Sequence, residues 1–271
     1  MKRLLLLTAI TLFSPTLLLA QDSFRFQNTT SASGAKKGTV NLEVPAGELL
    51  VRAESASLVE TEVLYDKADW KPQLTTNNNK TEPVLTFRQK EVSTNKNNVH
   101  NKWSVNLSKS TPLNLSVKIG AGETKLHLQN SNINRLELNG GAVSCNLDLR
   151  GSKIRDLELN AGVGELNLDL RGNWDHSVQV NITGGIGDVN IKLPKNTGVR
   201  LKSSGLGSNK FPGMQQEDGY YTNKAYGKSK HVITINVSGG LGSVTAQQED
   251  SEHNATDALT LKDETMIMNY F

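Results

Sequence analysis

Two closely spaced glycines, Gly162 and Gly164, stand in the segment LELNAGVGELNLDLRG that begins at Leu157. Such a pair opens the phosphate-binding loop of dinucleotide-binding domains, where a third glycine and the start of a helix follow. Here Asn167 occupies the place of the third glycine, and apolar and polar residues alternate around it as in a β-strand. We therefore interpret the glycines as a bend of the backbone and exclude a nucleotide loop.

Oxygen-bearing side chains follow the glycines of several similar segments. They are Glu48, Glu123, Ser144, Glu165, Asp188 and Ser243. Stacked roughly 4.8 Å apart, their oxygens could line up as calcium ligands. The segment GGIGDVNI at Gly184 resembles the calcium-binding nonapeptide, but its aspartate comes one position early, and Ser144 interrupts the carboxylates. We interpret these residues as solvated corner residues and predict neither a metal nor a cofactor.

Carboxylates in pairs raise the question of glycoside cleavage, in which an acid and a base flank the scissile bond. The two candidate pairs are Glu137 with Glu158 and Asp148 with Asp169. The outward half of an alternating strand already explains these side chains, and Arg150, Arg171 and Lys192 lie near enough to offset their charge. We assign no catalytic residue, and a polysaccharide-active β-helix enzyme remains the alternative function.

The single cysteine, Cys145, aligns with Thr124, Leu166 and Val189 in a column of inward positions. A cysteine there is expected to be a small buried hydrophobe. A nucleophilic cysteine would need a base beside it, and the histidines show no recurring partnership with Cys145 and no metal-ligand spacing. The five histidines are His100, His127, His176, His231 and His253.

Repeated segments position all of these residues. Four of them begin at Leu115, Leu136, Leu157 and Val178, at intervals of 21 residues, and the fourth contains two extra residues. A fifth begins at His231, Gly-Leu-Gly recurs at 205–207, and PAGELLV stands at 45–51. Repeats of this length predict a stack of supersecondary units, because one unit cannot bury its apolar face alone.

Each repeat predicts a strand, a glycine corner and a second strand, because its apolar residues recur at every other position. Stacking of consecutive units would place one apolar column inside, formed by Leu115, Leu136, Leu157 and Val178. The neighbouring polar column, formed by Ser116, Glu137, Glu158 and Gln179, would face outward. Two asparagine columns, Asn139 with Asn160 and Asn181 and Asn146 with Asn167 and Asn190, are expected to hydrogen-bond along the stack. We predict an all-β solenoid with coils of about 21 residues.

Export is indicated by the N-terminus. Residues 1–20 contain Lys2 and Arg3, an apolar stretch and Ala20, which is the layout of a secretory signal peptide. An uncleaved membrane anchor is the rival interpretation. Without residues 1–20, 30 basic residues become 28 against 27 acidic ones, and this net charge of +1 lacks the basic footprint of nucleic-acid binders. We expect a protein outside the cytoplasm with no membrane segment after cleavage.

The remaining regions complete a single-domain prediction. Residues 21–38 are predicted to be a flexible polar lead-in, residues 39–247 one solenoid domain, and residues 248–271 a polar tail. The insertion at 209–230 carries four aromatic residues, which favour a cap over the last rung, with a binding surface as the alternative.

These motifs resemble a known family. PAGELLV at 45–51, GAGETKLHL at 120–128, the repeats and the segment from Phe211 to Val244 are similar to the toast-rack family of bacterial envelope proteins, which includes LiaF-like and adhesin-like domains. The resemblance implies a right-handed, β-helix-like (toast-rack) solenoid in the periplasm or at the cell surface and no catalytic residues. LiaF-like regulators usually carry N-terminal membrane helices, whereas this chain has only a signal-like segment.

The expected function is therefore non-enzymatic. Stacked polar columns would offer a rigid surface to an envelope protein or a glycan, in adhesion or in an envelope stress response. Specificity would lie in the insertion at 209–230 and in the loops around Asn77 and Asn97.

Overall fold

Alternating apolar and polar residues form strands along most of the chain. A computed structural model describes residues 23–77, 79–90 and 100–249. The strands are β1 Phe24–Thr30, β2 Gly38–Ser55, β3 Val59–Tyr65, β4 Gln73–Thr76, β5 Val84–Arg88, β6 Asn101–Ser108, β7 Leu113–His127, β8 Ile133–Asp148, β9 Asp156–Asp169, β10 Val178–Pro194, β11 Gly198–Lys210, β12 Gln215–Glu217, β13 Tyr220–Thr222 and β14 Val232–Glu249. A short 3-10 helix, Ala68–Trp70, lies between β3 and β4.

All of these strands belong to one open sheet. Its order is β1-β3-β6-β2-β7-β8-β9-β10-β14-β11-β13-β12, and β5 joins β2 and β4 beside this path. The seven long strands from β2 to β11 in this order pair in parallel. The all-β fold predicted from the sequence is therefore confirmed.

Each long strand bends at its glycines, and the bend encloses the core. In β9, Leu157 and Leu159 are buried before the corner, and Leu166 and Leu168 are buried after it. The buried face thus changes from odd to even positions, so the two halves of one strand cover the same core from two sides. β2, β7, β8, β10 and β14 show the same change.

The corner glycines are required by the backbone. Gly164 has φ +141°, and a Cβ added there would lie 1.8 Å from the carbonyl oxygen of Val143 on the next strand. Gly187 has φ +146°, and its Cβ would lie 1.7 Å from the carbonyl oxygen of Gly164. Only glycine tolerates both the conformation and this close approach. The bend interpretation of Gly162 and Gly164 therefore agrees with the geometry.

Register follows the repeat in the centre of the sheet and departs from it later. Leu115 pairs with Leu136, and Leu136 pairs with Leu157, at the 21-residue interval. Leu157 then pairs with Val180, 23 positions further on, so the predicted place of Val178 in this column is wrong. Likewise Asn181, and not Gln179, lies opposite Glu158. The two extra residues of the fourth repeat precede the part of β10 that pairs with β9.

At the C-terminal end of the sheet, the long strands do not follow one another in the order of the sequence. β14 lies between β10 and β11, although β11 comes first in the sequence. The prediction that consecutive units lie on each other is therefore wrong there. At the other end, Phe24–Thr30 forms β1 and pairs with β3, so this part of the predicted flexible lead-in is an ordered strand. Residues 1–20, the tail from 250 onward and the loop around Asn97 lie outside the described residues.

Candidate interaction surface

The outer side of the glycine corners forms a continuous row of aliphatic residues, which we call the corner ridge. Across the sheet it consists of Ala46, Ala121, Ala142, Val163, Ile186, Leu241 and Leu206, each paired with the next. The alanines lie toward β2 and the large residues toward β11. The large ones are exposed, at 51% for Val163, 57% for Ile186, 58% for Leu241 and 74% for Leu206.

A small cavity lies under the large-residue end of the corner ridge. Its volume is about 60 Å³, and it is lined by corner glycines and by apolar residues that include Leu166, Ile182 and Val237. Exposed residues such as Leu206 and Leu241 also line it, so it opens to solvent. This end of the ridge therefore combines exposed aliphatic side chains with a small open pocket.

The ridge was missed by sequence reasoning. The signal was present, because the residue beside or between the corner glycines is aliphatic in every repeat, as in Gly185-Ile186-Gly187 and Gly240-Leu241-Gly242. Apolar residues that recur at outward-facing bends indicate an exposed apolar patch, and such a patch indicates an interaction surface. The glycine corners and the alternating strands were predicted, but no role was predicted for the aliphatic residues at the corners.

The corner carboxylates are satisfied by groups of the protein. Glu48 pairs with Lys102 and Glu123 with Lys125, each at 3.4 Å. Asp188 accepts hydrogen bonds from the Ser243 hydroxyl at 2.6 Å and from its backbone N–H at 3.1 Å. These bonds lower the pKa of Asp188 below its ordinary value. The predicted ladder is present in register, but each of these carboxylates has a protein partner.

Glu165 has amide partners. It accepts hydrogen bonds from Asn167 at 3.1 Å and from Asn190 at 3.3 Å. Within the described parts of the chain, no cluster of three or more acidic, histidine or cysteine side chains has metal-binding geometry.

The carboxylate pairs considered for glycoside cleavage are engaged by cations or amides. Arg150 binds Asp148 at 2.5 Å and Arg171 binds Asp169 at 2.6 Å. The hydrogen bonds that Arg171 donates to Asp169 raise the pKa of Arg171. On the other face Arg135 binds Glu158 at 2.8 Å, and Asn139 donates to Glu137 at 2.8 Å. Direct partners therefore hold all four carboxylates in a fixed network.

Asparagine ladders run along the polar faces. Asn190 donates to Asn167 at 3.0 Å, and Asn167 donates to Asn146 at 3.0 Å, which confirms that column. Asn160 also donates to Asn139 at 3.0 Å. Asn181 instead accepts from Asn236, because the register of β10 is shifted by two residues. The ladders fix the outward amides in regular rows.

Cys145 lies in the inward column predicted for it, and only 1% of its surface is exposed. Burial raises the pKa of its thiol to about 11. Because the thiolate is the reactive form, this environment suppresses nucleophilic chemistry at Cys145.

The insertion at 209–230 covers the start of the last long strand. β13 pairs with β11 at Arg200 and Leu201, and β12 pairs with β13. Phe211 packs edge-on against Tyr221, with ring centroids 4.6 Å apart, and both rings contact the core. The predicted capping role therefore holds for the first residues of β11. From Lys202 onward β11 is mostly exposed.

Fold and surface together define an all-β protein whose stacked strands bend at glycine corners. A profile of the N-terminal domain of toast-rack proteins (DUF2154) matches residues 20–153 and, in a second overlapping alignment, residues 135–192. The two matches cover more than half of the chain, so it belongs to the toast-rack family. The resemblance found in the sequence is confirmed.

The chain is also similar to solved structures. A candidate cell adhesion protein from Clostridium sporogenes is 27% identical, with a TM-score of 0.65 over 84% of this chain and 100% of its own. A candidate adhesin from Bacteroides fragilis is 12% identical, with a TM-score of 0.39 over 84% of this chain and 98% of its own. One from Parabacteroides merdae is 15% identical, with a TM-score of 0.30 over 85% and 93%.

Two further findings concern function and location. No protein with a curated function matches this chain. Among the described residues, no helix has the length and apolar character needed to cross a membrane.

Proposed function

We propose that this chain is an exported, non-enzymatic protein of the bacterial envelope that offers a rigid surface to a protein or glycan partner. The observation that carries the proposal is the likeness to the candidate cell adhesion protein, which extends over that protein's whole length at 27% identity. The apolar N-terminal segment of residues 1–20 supports export through a cleaved signal peptide.

The polar face after the corner is the surface we assign to the partner. Asn146, Asn167 and Asn190 stand in one hydrogen-bonded row, with Glu165 and Asp188 beside them at the corner. Fixed amides and carboxylates suit the hydroxyl groups of sugars and the backbone of an extended peptide, since little side-chain freedom is lost on binding. The insertion at 209–230 and the loop around Asn77 would add specificity.

We also propose that the central coils contain about 21 residues each and wind right-handedly. The pairing of Leu115, Leu136 and Leu157 supports the coil length, and the right-handedness that is general for connections between parallel strands supports the hand. An experimental structure of the chain without residues 1–20 tests this pattern through the path of the connections between β7, β8 and β9.

A binding experiment tests the function. The purified chain without residues 1–20, carrying a fluorescent label, is added to cells of the producing bacterium and to arrays of envelope glycans. We expect saturable binding, and a loss of at least tenfold in affinity for the variant with Glu165→Lys and Asp188→Lys. The matched control carries Glu54→Lys and Asp69→Lys, two exposed acids at the other end of the sheet, and should bind like the native chain.

Three results would count against the proposal. Equal binding by both variants would show that the partner does not bind the assigned polar face. Recovery of the native chain in the cytoplasmic fraction of cells would show that the protein is not exported. Release of reducing sugar from envelope polysaccharide by the purified chain would favour the enzyme alternative.

A further inference from the structure

The outer edge of β11 is open along most of its length. β13 pairs with β11 at Arg200 and Leu201. From Lys202 to Lys210 the strand has no outer partner in the part of the chain that the structure describes, and nearly all of these residues are exposed. Natural sheets protect such edges with charges, proline or bulges, because unpaired backbone groups attract another strand. Residues 203–209, SSGLGSN, contain neither charge nor proline, although the pairing with β14 shifts register between Ser204 and Leu206.

The same end of the molecule carries a basic rim. It consists of Arg200, Lys202, Lys210, Lys224, Lys228 and Lys230. Residues 198–231 contain these six basic residues and two acidic ones, Glu217 and Asp218, so their net charge is +4. Arg200 and Lys202 lie over the ring of Tyr220, at 3.5 and 5.6 Å from its centroid.

Within the described residues, no member of the basic rim forms an ion pair with a carboxylate. Several cations elsewhere in the sheet do. Examples are Arg25 with Glu62, Arg135 with Glu158, and Lys153 with Asp175. An open backbone edge beside unpaired cations fits an extended acidic peptide, which would add a strand and neutralise the rim.

A second copy of β11 does not fit this edge. Antiparallel pairing of Lys202–Lys210 with its own copy around Leu206 would place Lys202 opposite Lys210 of the other copy. Like charges directly opposite each other destabilise a strand pair. The two +4 rims would also repel one another.

An acidic segment of suitable length follows β14. Residues 250–271 contain Asp250, Glu252, Asp257, Asp263 and Glu264 against the single Lys262, a net charge of −4. They also contain the apolar stretch MIMNYF at 266–271. The chain leaves β14 at Glu249, four residues beyond the rung that pairs Thr245 with Lys210.

The segment reaches the edge easily. The path from Glu249 back to Leu206 is at most roughly 26 Å at about 3.3 Å per residue, whereas the 16 residues between Glu249 and Met266 can span roughly 53 Å. An apolar stretch that arrives at Leu206 would meet the exposed end of the corner ridge.

We propose that residues 250–271 of the same chain bind along the open edge of β11. Their acidic residues pair with the basic rim, and residues 266–271 cover Leu206 and Leu241. This contact covers the open edge of β11 and is independent of the envelope role proposed above. Any other ligand of this edge would have to compete with residues 250–271.

Hydrogen exchange on the whole chain without residues 1–20 tests the contact. We expect the outward-pointing amides of Lys202–Lys210 to exchange at least tenfold more slowly in the native chain than in a variant with Asp263→Lys and Glu264→Lys. The control with Glu54→Lys and Asp69→Lys should exchange like the native chain. Combining the tail variant with Lys202→Glu and Lys210→Glu should restore at least part of the protection, because both signs are reversed.

Equal exchange in the native chain and the tail variant overturns the proposal. Absence of rescue by the reversed charges overturns the pairing between tail and rim. Protection that rises with protein concentration, together with a dimer mass in light scattering, assigns the edge to a second copy and overturns the intramolecular contact.

Discussion

The two ends of the sheet are finished in different ways. At the β2 end, β5 covers one half of the bent strand and β6 covers the other, and the antiparallel strands β4, β3 and β1 extend these layers. Trp70, Phe87 and Trp103 fill the interior there. At the β11 end, the three-residue strand β13 pairs with only two residues of the last long strand, and β12 of the same length pairs with β13.

This difference distinguishes a covered end of the sheet from an open one. The β2 end buries large aromatic side chains and contains several ion pairs, such as Arg25 with Glu62 and Arg88 with Glu43, which stabilise the stack. Among the described residues, the β11 end exposes aliphatic side chains, a backbone edge and cations without a carboxylate partner. The terminal units of a stacked fold need a cap, and the proposed contact of residues 250–271 would supply one at this edge.

The largest expected effect comes from the sealed end. Trp103→Ala should lower the free energy of unfolding by about 3–5 kcal/mol, because it removes a large buried ring. Tyr226→Ala at the β11 end should change it by about 0.5 kcal/mol or less, since Tyr226 is partly exposed. Urea unfolding followed by circular dichroism measures both. Similar losses in the two variants would contradict the contrast between the ends.

The corner glycines give the next largest effect. Gly187→Ala should destabilise the protein by about 3 kcal/mol, because it combines a disfavoured φ with a contact against the backbone of Gly164. Gly184 lies in the same strand, and a Cβ there meets no atom within 4 Å. Gly184→Ala should therefore cost less than about 1 kcal/mol. Equal midpoints for the two variants in urea would show that the corner is not limited by this contact.

Thiol labelling distinguishes the buried middle of the sheet from its open edge. Cys145 is buried and the pKa of its thiol is raised to about 11, so it should resist iodoacetamide at neutral pH until the protein unfolds. In a Cys145→Ala background, Ser208→Cys on β11 should react at least tenfold faster under native conditions. Mass spectrometry follows both reactions. Rapid labelling of Cys145 in folded protein would show that the stack opens locally.

A small pH effect is expected at the sealed end. The hydrogen bond from Arg88 holds the pKa of Glu43 below its ordinary value of 4.5. The bond therefore contributes stability above pH 4.5 that is lost as the pH falls through the lowered value. Glu43→Gln should remove about 0.5 kcal/mol at neutral pH and nothing at strongly acid pH. A difference between the two proteins that grows on acidification would have the wrong sign.

Local patterns predicted the strands and corners because both arise from short-range physics. Alternation marks a half-buried strand, and glycine marks a tight backbone approach. The register of β10 was missed because Val178 and Val180 are both apolar, and a shift of two residues preserves the alternation. The position of β14 between β10 and β11 depends on contacts across 34 residues, such as Val199 with Ile233, which no local pattern encodes.

The candidate surface was predicted in part. The asparagine row and the inward Cys145 followed from the repeat alone. The corner ridge and the basic rim required the order of strands in space, because Leu206 and Leu241 are neighbours only after β14 has entered the sheet. The sequence alone did not show that Lys202 and Lys210 lie on an outer strand of the sheet.

The reversed order of β11 and β14 has a consequence for assembly. β11 is synthesised before β14, although β14 is its neighbour among the long strands. Until residues 232–249 have been made, neither β10 nor β11 has the long strand that separates them in the sheet. This end of the sheet therefore forms only after β14 has entered between the two earlier strands.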